Sequence, residues 1–136
     1  MEYNTFFEQV LDALGIATGA VPDKQWVSSA DGNTLSDDAA KSWIQPFAVQ
    51  FNDKTARDKY LNLFGLDPAQ YPDFPLQLTA FAVQSIEVST AFPLKISLSD
   101  PNAPVTLVAQ NLSLQAGAQI ISGNALIAGV QNLVKH

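Results

Sequence analysis

One short phrase occurs three times in the last third of the chain, and it restricts the possible folds more than any other feature. Gln84-Ser85-Ile86-Glu87-Val88 returns as Gln110-Asn111-Leu112-Ser113-Leu114 and again, cut short, as Gln131-Asn132-Leu133-Val134. A second echo joins Ile96-Ser97 to Ile121-Ser122. Recurrence at a spacing of roughly 20–30 residues, with side chains alternating at a period of two, is how chains that stack turn upon turn look in sequence. In such a stack equivalent residues sit about 4.8 Å apart. The Gln-Ser/Asn pairs then form a polar ladder. Ile86, Leu112 and Leu133 form one inward column, and Val88, Leu114 and Lys135 a second.

The period of two begins after Pro75. Leu76, Leu78, Ala80 and Ala82 alternate with Gln77, Thr79 and Phe81, and Leu94, Ile96 and Leu98 continue the pattern. Val105 and Leu107 share one face, and past Gln110-Asn111 the apolar phase moves to Leu112 and Leu114, the sign of a bulge or a corner. Asp100-Pro101-Asn102-Ala103-Pro104 reads as a rigid turn, and Gln115-Ala116-Gly117 and Ser122-Gly123-Asn124 as further turns.

Ahead of Pro75 the chain reads as helical. Thr5 and Glu8 form a capping box for a helix over 5–14, whose stripe is Phe6, Phe7, Val10, Leu11 and Leu14 and whose stop is Gly15. Residues 16–35 carry loop signals. Ser36 is expected to cap a short helix through Ile44, with Trp43 on its apolar face. Residues 47–51 read as a short strand and 53–64 as a second helix with Ala56, Tyr60, Leu63 and Phe64 inward; Asp67-Pro68 starts one more helical turn. Tyr71-Pro72-Asp73-Phe74-Pro75 blocks helix and marks a boundary. Two segments result, an acidic helical one over 1–75 that caps or packs on a β-rich one over 76–136.

Charge sharpens this division. Residues 1–75 hold eleven acids and five bases, while the remainder is neutral and has no charge between Asp100 and Lys135. A single arginine, flanked by acids, argues against nucleic acid as a partner. No run of apolar residues is long enough for a membrane-spanning helix.

Residues that could carry chemistry are few. There is no cysteine, and the one histidine is His136 at the end, so thiol chemistry and a multi-histidine metal site have no ligands. Asp31-Gly32-Asn33 lacks the closing glutamate of a calcium loop. No glycine pattern is followed by the Lys-Ser/Thr of a phosphate loop, so the sequence implies no cofactor and no metal. Glu87 and Asp100 are the only acids of the β-rich segment and hence the only catalytic pair it could offer to a glycoside. Trp26 and Phe81 are the candidates for an aromatic binding surface.

Residues 105–117, from Val105 through Gln110-Asn111-Leu112 to Gly117, are similar to a coil of the parallel β-helix in filamentous haemagglutinin-type bacterial exoproteins. The similarity extends at most over residues 76–134. It implies secretion or cell-surface display, adhesion or toxin delivery, and transfers no catalytic residue.

The expected fold is therefore a helical N-terminal part with a short parallel β-solenoid behind it. An α+β domain with an antiparallel sheet is the alternative, since the run from Leu76 to Ser89 suits it equally. In a solenoid the third phrase, Gln131-Asn132-Leu133-Val134, is an uncapped edge. The partner that edge calls for is a second copy of the chain or a continuation of a larger exported parent. The function expected is thus non-enzymatic, by self-association or attachment. The alternatives are a module that binds or degrades carbohydrate, with glycans as partners, and a component of a toxin or delivery apparatus.

Overall fold

A computed structural model describes residues 5–22, 24–71, 76–100 and 103–136. Residues 72–75 of the expected boundary over 71–75, Pro101 and Asn102 of the rigid turn, and the aromatic residues Tyr3 and Phe74 lie outside the described residues. The order of elements is α1 (Phe6–Leu14), β1 (Gln25–Val27), β2 (Thr34–Leu35), β3 (Phe47–Phe51), α2 (Lys54–Leu63), β4 (Leu76–Val88), β5 (Leu94–Ile96), β6 (Val105–Leu114), β7 (Ile120–Ser122) and β8 (Leu126–Lys135).

Both helices form where their caps place them. The Thr5 hydroxyl accepts the Glu8 amide at 3.1 Å, while the Glu8 carboxylate takes the Thr5 hydroxyl at 2.9 Å rather than its amide. Gly15 ends α1 at φ 75°, a left-handed turn that glycine adopts without penalty. Asp53 caps α2 by accepting the Ala56 amide at 2.8 Å. The buried stripe of α2 is Arg57, Tyr60 and Leu61, with Ala56, Leu63 and Phe64 half-buried beside it. After α2, Asp67 caps one 3-10 turn, Pro68–Gln70.

The strands form two sheets. The first has the order β1-β4-β6-β8, all parallel, with β3 added antiparallel along Leu76 to Ala80 of β4. The second is β2-β5-β7, also parallel. Following the chain, a strand of the first sheet is succeeded by one of the second three times: β1 by β2, β4 by β5 and β6 by β7. The antiparallel α+β alternative is thereby corrected. Parallel pairing suits strands buried on both faces, and β4 and β6 are buried so.

Three layers result. α1 and α2 cover one face of the first sheet through Phe7, Val10, Leu11, Tyr60 and Leu61 against Leu78, Ala80, Ala82 and Val108. Its other face meets the second sheet, with Phe81, Val83, Ile86, Val105, Leu107 and Ala109 against Leu35, Leu94 and Ile96. Under the helices the last position of the column Ala82-Val108-Gly129 must be small, because a Cβ on Gly129 would come within 3.2 Å of Phe64 and 3.3 Å of Val10.

Each long strand changes phase once. Phe81 and Val83 face the second sheet, but so do Ile86 and Val88, with Ile86 falling three positions beyond Val83 and not two. The slip falls at Gln84-Ser85 in β4 and at Gln110-Asn111 in β6. Both strands keep one offset on either side of it, Val83 opposite Ala109 and Ser85 opposite Asn111. β8 repeats the arrangement, with Val130 opposite Ala109 and Asn132 opposite Asn111. The slips thus lie side by side, and they allow three strands to bend together without losing register.

Three expectations change. Residues 36–44 form turns and no helix. Ser36 accepts the Asp38 amide, Asp38 accepts the Ala40 amide, and Ser42 bonds both the Ser36 amide and the Ile44 carbonyl, so side chains take the bonds a helix would need. Residues 25–27 and 34–35, which carry loop signals in sequence, are β1 and β2, so both sheets draw on the first half of the chain. The second echo is out of step by one: Ile96 lies opposite Ser122, and Ile121 stands beside Lys95 on the outer face.

Candidate functional site

Columns of side chains cross the first sheet, and their last members define the site. One runs Trp26, Ile86, Leu112, Leu133. Ile86 is 1% exposed and Leu112 4%, whereas Leu133 on β8 is 53% exposed. The column Phe81-Leu107-Ala128 likewise passes from fully buried to exposed, and Val83-Ala109-Val130 from fully buried to half-buried. All these columns point between the sheets, and all lose their cover at β8. Val134, on the opposite face, is 47% exposed.

A polar ladder runs beside them. Asn111 donates from Nδ2 to Ser85 Oγ at 3.2 Å, and Asn132 from Nδ2 to Asn111 Oδ1 at 3.0 Å. Oδ1 of Asn132, at the end of this ladder, takes no hydrogen bond among the described residues. The glutamines of the phrases point the other way. Gln84 and Gln110 line a polar recess of about 220 Å³ with Thr5, Glu8 and Thr18 beside the start of α1, and the Gln131 Oε1 is buried without a partner. The expected assembly edge, Gln131, Asn132, Leu133 and Val134, is thus the second half of a strand paired on one side, with β6.

The aromatic candidates are placed differently. Phe81 is fully buried between the two sheets, because its position in the alternation turns it inward, and it offers no surface. Trp26 is half-buried, edge-on to Trp43 at 5.5 Å, with Lys24 Nζ 4.0 Å over its ring and its Nε1 buried without a partner. Gly32 lies against the Trp43 ring, where a Cβ would come within 2.1 Å of it.

The two acids do not meet. Glu87 accepts a hydrogen bond from Gln115 Nε2 at 3.1 Å near the end of β4. Asp100 borders an open groove of about 490 Å³ with Gln77 and Thr79 near the start of β4. The length of strand from Thr79 to Glu87 is roughly 25 Å at the rise of an extended chain, too far for a paired-carboxylate mechanism. Asp37, which sequence reasoning missed, shares that groove. It accepts the Ser99 amide at 3.1 Å and the Ser99 hydroxyl at 3.0 Å, and the amide bond foremost holds its carboxyl below the usual carboxylate range. A carboxyl held ionised in this way ties two turns together and is not poised as a general acid.

Among the described residues, no three potential metal ligands come together, and no helix is long and apolar enough to cross a membrane. Comparison of the chain with family models, curated proteins and solved structures finds no match. What any sequence signal could have added is limited. Gln25-Trp26 sits in register with Ser85-Ile86 as a first member of the phrase, but a strand as short as β1 is too brief for a visible period.

Proposed function

We propose that the protein is a non-enzymatic structural and binding module, a short β-solenoid that acts by self-association through the uncovered edge of β8. The alternation between two parallel sheets and the side-by-side position of the three phrases support the solenoid reading. The observation that carries the function is the loss of cover at β8. Columns buried in β4 and β6 emerge there, on a strand that has no charge from Leu126 to Val134. A strand edge of this kind offers a row of free backbone donors and acceptors, and lysines, prolines or bulges are the usual means of blocking one. Pairing by a second copy, or by a further part of a larger exported chain, satisfies those groups and extends the columns. The glycan reading has less support, since Phe81 is fully buried and Lys24 lies over the ring of the half-buried Trp26.

Sedimentation velocity over a range of concentrations tests the proposal. The wild type should show a mass above one chain that rises with concentration. Asn132→Lys with Val134→Lys, both at exposed positions, sets like charges against each other across the edge and should weaken association at least about tenfold. A wild type that stays monomeric at high concentration would end this reading.

A further inference from the structure

The first sheet reaches further than the second sheet covers. Along β4, Gln77, Thr79, Phe81 and Val83 share one face by alternation, and they pass from exposed through half-buried to fully buried. The overhang has a simple cause: β4 runs for 13 residues, whereas β2 and β5 have two and three. β3 widens it, since Ala48 lies opposite Thr79 and Gln50 opposite Gln77, on the same face. The turns that follow β2 and β5 supply the other side, with Asp37 and Asp100. Together these residues line the open groove of about 490 Å³. All of them belong to internal segments. Thr5 lies beside Gln84 and Gln110 at the start of α1, on the other face of the sheet, and His136 is bonded to Leu114 and Ser113 at the far end of the strands.

The chemistry of the groove is that of an acceptor. Gln77 donates from Nε2 to Gln50 Oε1 at 3.1 Å, and Gln50 donates from Nε2 to Asn52 Oδ1 at 2.7 Å. This relay runs one way and leaves Gln77 Oε1 without a hydrogen bond among the described residues. The bonds from Ser36 and Ser99 all go to Oδ1 of Asp37, which leaves Oδ2 for an incoming donor. Asp100 adds a second carboxylate, and no lysine or arginine is among the lining residues. We infer that this uncovered sheet face is a docking site for a basic extended segment of another protein, whose arginine lies over Ala48 with its guanidinium between Asp37 and Gln77. A guanidinium carries five donors in a planar fork that matches such oxygens, and it sheds water more readily than an ammonium. A small molecule needs a site that encloses most of its surface. Here Ala48, Gln50, Gln77 and both aspartates are exposed, so a side chain carried on a backbone fits better. The net charge of −6 draws a basic segment toward the molecule. The groove shares no residue with β8, so this inference and the proposed self-association can fail separately.

The probe is a capped Ala-Ala-Arg-Ala-Ala peptide, titrated into the 15N-labelled full chain at low salt up to about 20 mM, the range expected for one exposed ion pair with its neighbouring hydrogen bonds. Saturable shifts are expected at residues 37, 48–50, 77–79, 99 and 100. The same peptide with neutral citrulline in place of arginine keeps the shape and loses the charge, and it should bind at least about fivefold more weakly. Asp37→Asn should cost a similar factor while keeping an oxygen for Ser99. Gln50→Lys, at an exposed position, sets a cation in the groove without touching Asp37 and should abolish the shifts. An unchanged spectrum elsewhere shows that each variant folds. Absence of shifts, equal binding of the citrulline peptide, or undiminished binding to Gln50→Lys overturns the inference. So do shifts spread equally over Asp53, Asp58 and Asp67, for that pattern is general attraction to an acidic molecule.

Discussion

Tyr60 sits fully buried under the helix layer, its hydroxyl hydrogen-bonded to Thr106 and its ring 5.2 Å from both Phe51 and Phe64. Thr106 is itself fully buried, between Ala80 and Ile127 in the helix-facing column of the first sheet. Burial pushes the Tyr60 phenol up to about 12, with the Thr106 bond acting in the opposite direction. An exposed phenol ionises near about 10. The unfolded chain therefore gives up this proton before the folded one does. The contribution is complete below pH about 10 and drains away as pH rises toward about 12, by an amount on the order of 2–3 kcal/mol. Tyr60→Phe should lower stability at neutral pH by about 1–3 kcal/mol, because it leaves the Thr106 hydroxyl buried without its partner. It should also flatten the alkaline decline relative to wild type. Urea titrations at pH 8 and pH 11 on both proteins check it, and an identical alkaline loss in the two would remove Tyr60 as its source. Nothing in the sequence links these residues. A threonine in an apolar strand and a tyrosine in a helix 46 residues away acquire meaning only when the layers meet.

Between elements, Asn124 does the most to hold a connection. It is 8% exposed, accepts the Leu98 amide at 3.1 Å and donates to the carbonyls of Asp100 and Ala103 at 2.8 and 2.9 Å. The turn between β7 and β8 is thereby tied to the longer link between β5 and β6. Asn124→Ala strands the Leu98 amide and the Ala103 carbonyl, while the Asp100 carbonyl keeps the Ala103 amide at 3.1 Å, and a cost of about 1–3 kcal/mol is expected, from an unsatisfied buried group plus lost bonds. Chemical denaturation measures it; a change under about 0.5 kcal/mol, the range of an ordinary surface substitution, would show the link to be held otherwise. The sequence marks this residue only as part of a turn, because its three partners lie 21 to 26 residues away. Elements with local signals are legible: α1 from Thr5, Glu8 and Gly15, α2 from Asp53, and β3 from its alternation. The turn over 36–44 is not, since the serines and aspartates that look like caps there bond one another's backbone instead. β1 and β2 are hidden by their brevity. Phe81 reads as a surface residue because Gln77 and Thr79 make its strand face look polar, yet β4 is buried on both faces.

For the whole molecule, the spacing of the three phrases is the legible part, since the offsets that separate them, 26 and 21, are also those at which β4, β6 and β8 pair. The second sheet is not legible, because β2, β5 and β7 are two or three residues long and the echo of Ile96-Ser97 in Ile121-Ser122 is one step out of register. The layered arrangement makes a prediction for native-state hydrogen exchange. In parallel pairing, successive residues of a strand direct their amides alternately to the two neighbours. β6 lies between β4 and β8, so all of its amides should be protected to nearly the global stability, about 5–15 kcal/mol for a domain. β8 is paired with β6 alone. Its amides should alternate, every second one slow and the intervening ones exchanging almost as in an open chain. Should copies associate through this edge, the fast set would slow as concentration rises while the slow set stays unchanged, which separates edge pairing from general stabilisation. Uniform protection along β8 in dilute monomer, or uniform loss along β6, would contradict the layered order on which the proposed edge pairing depends.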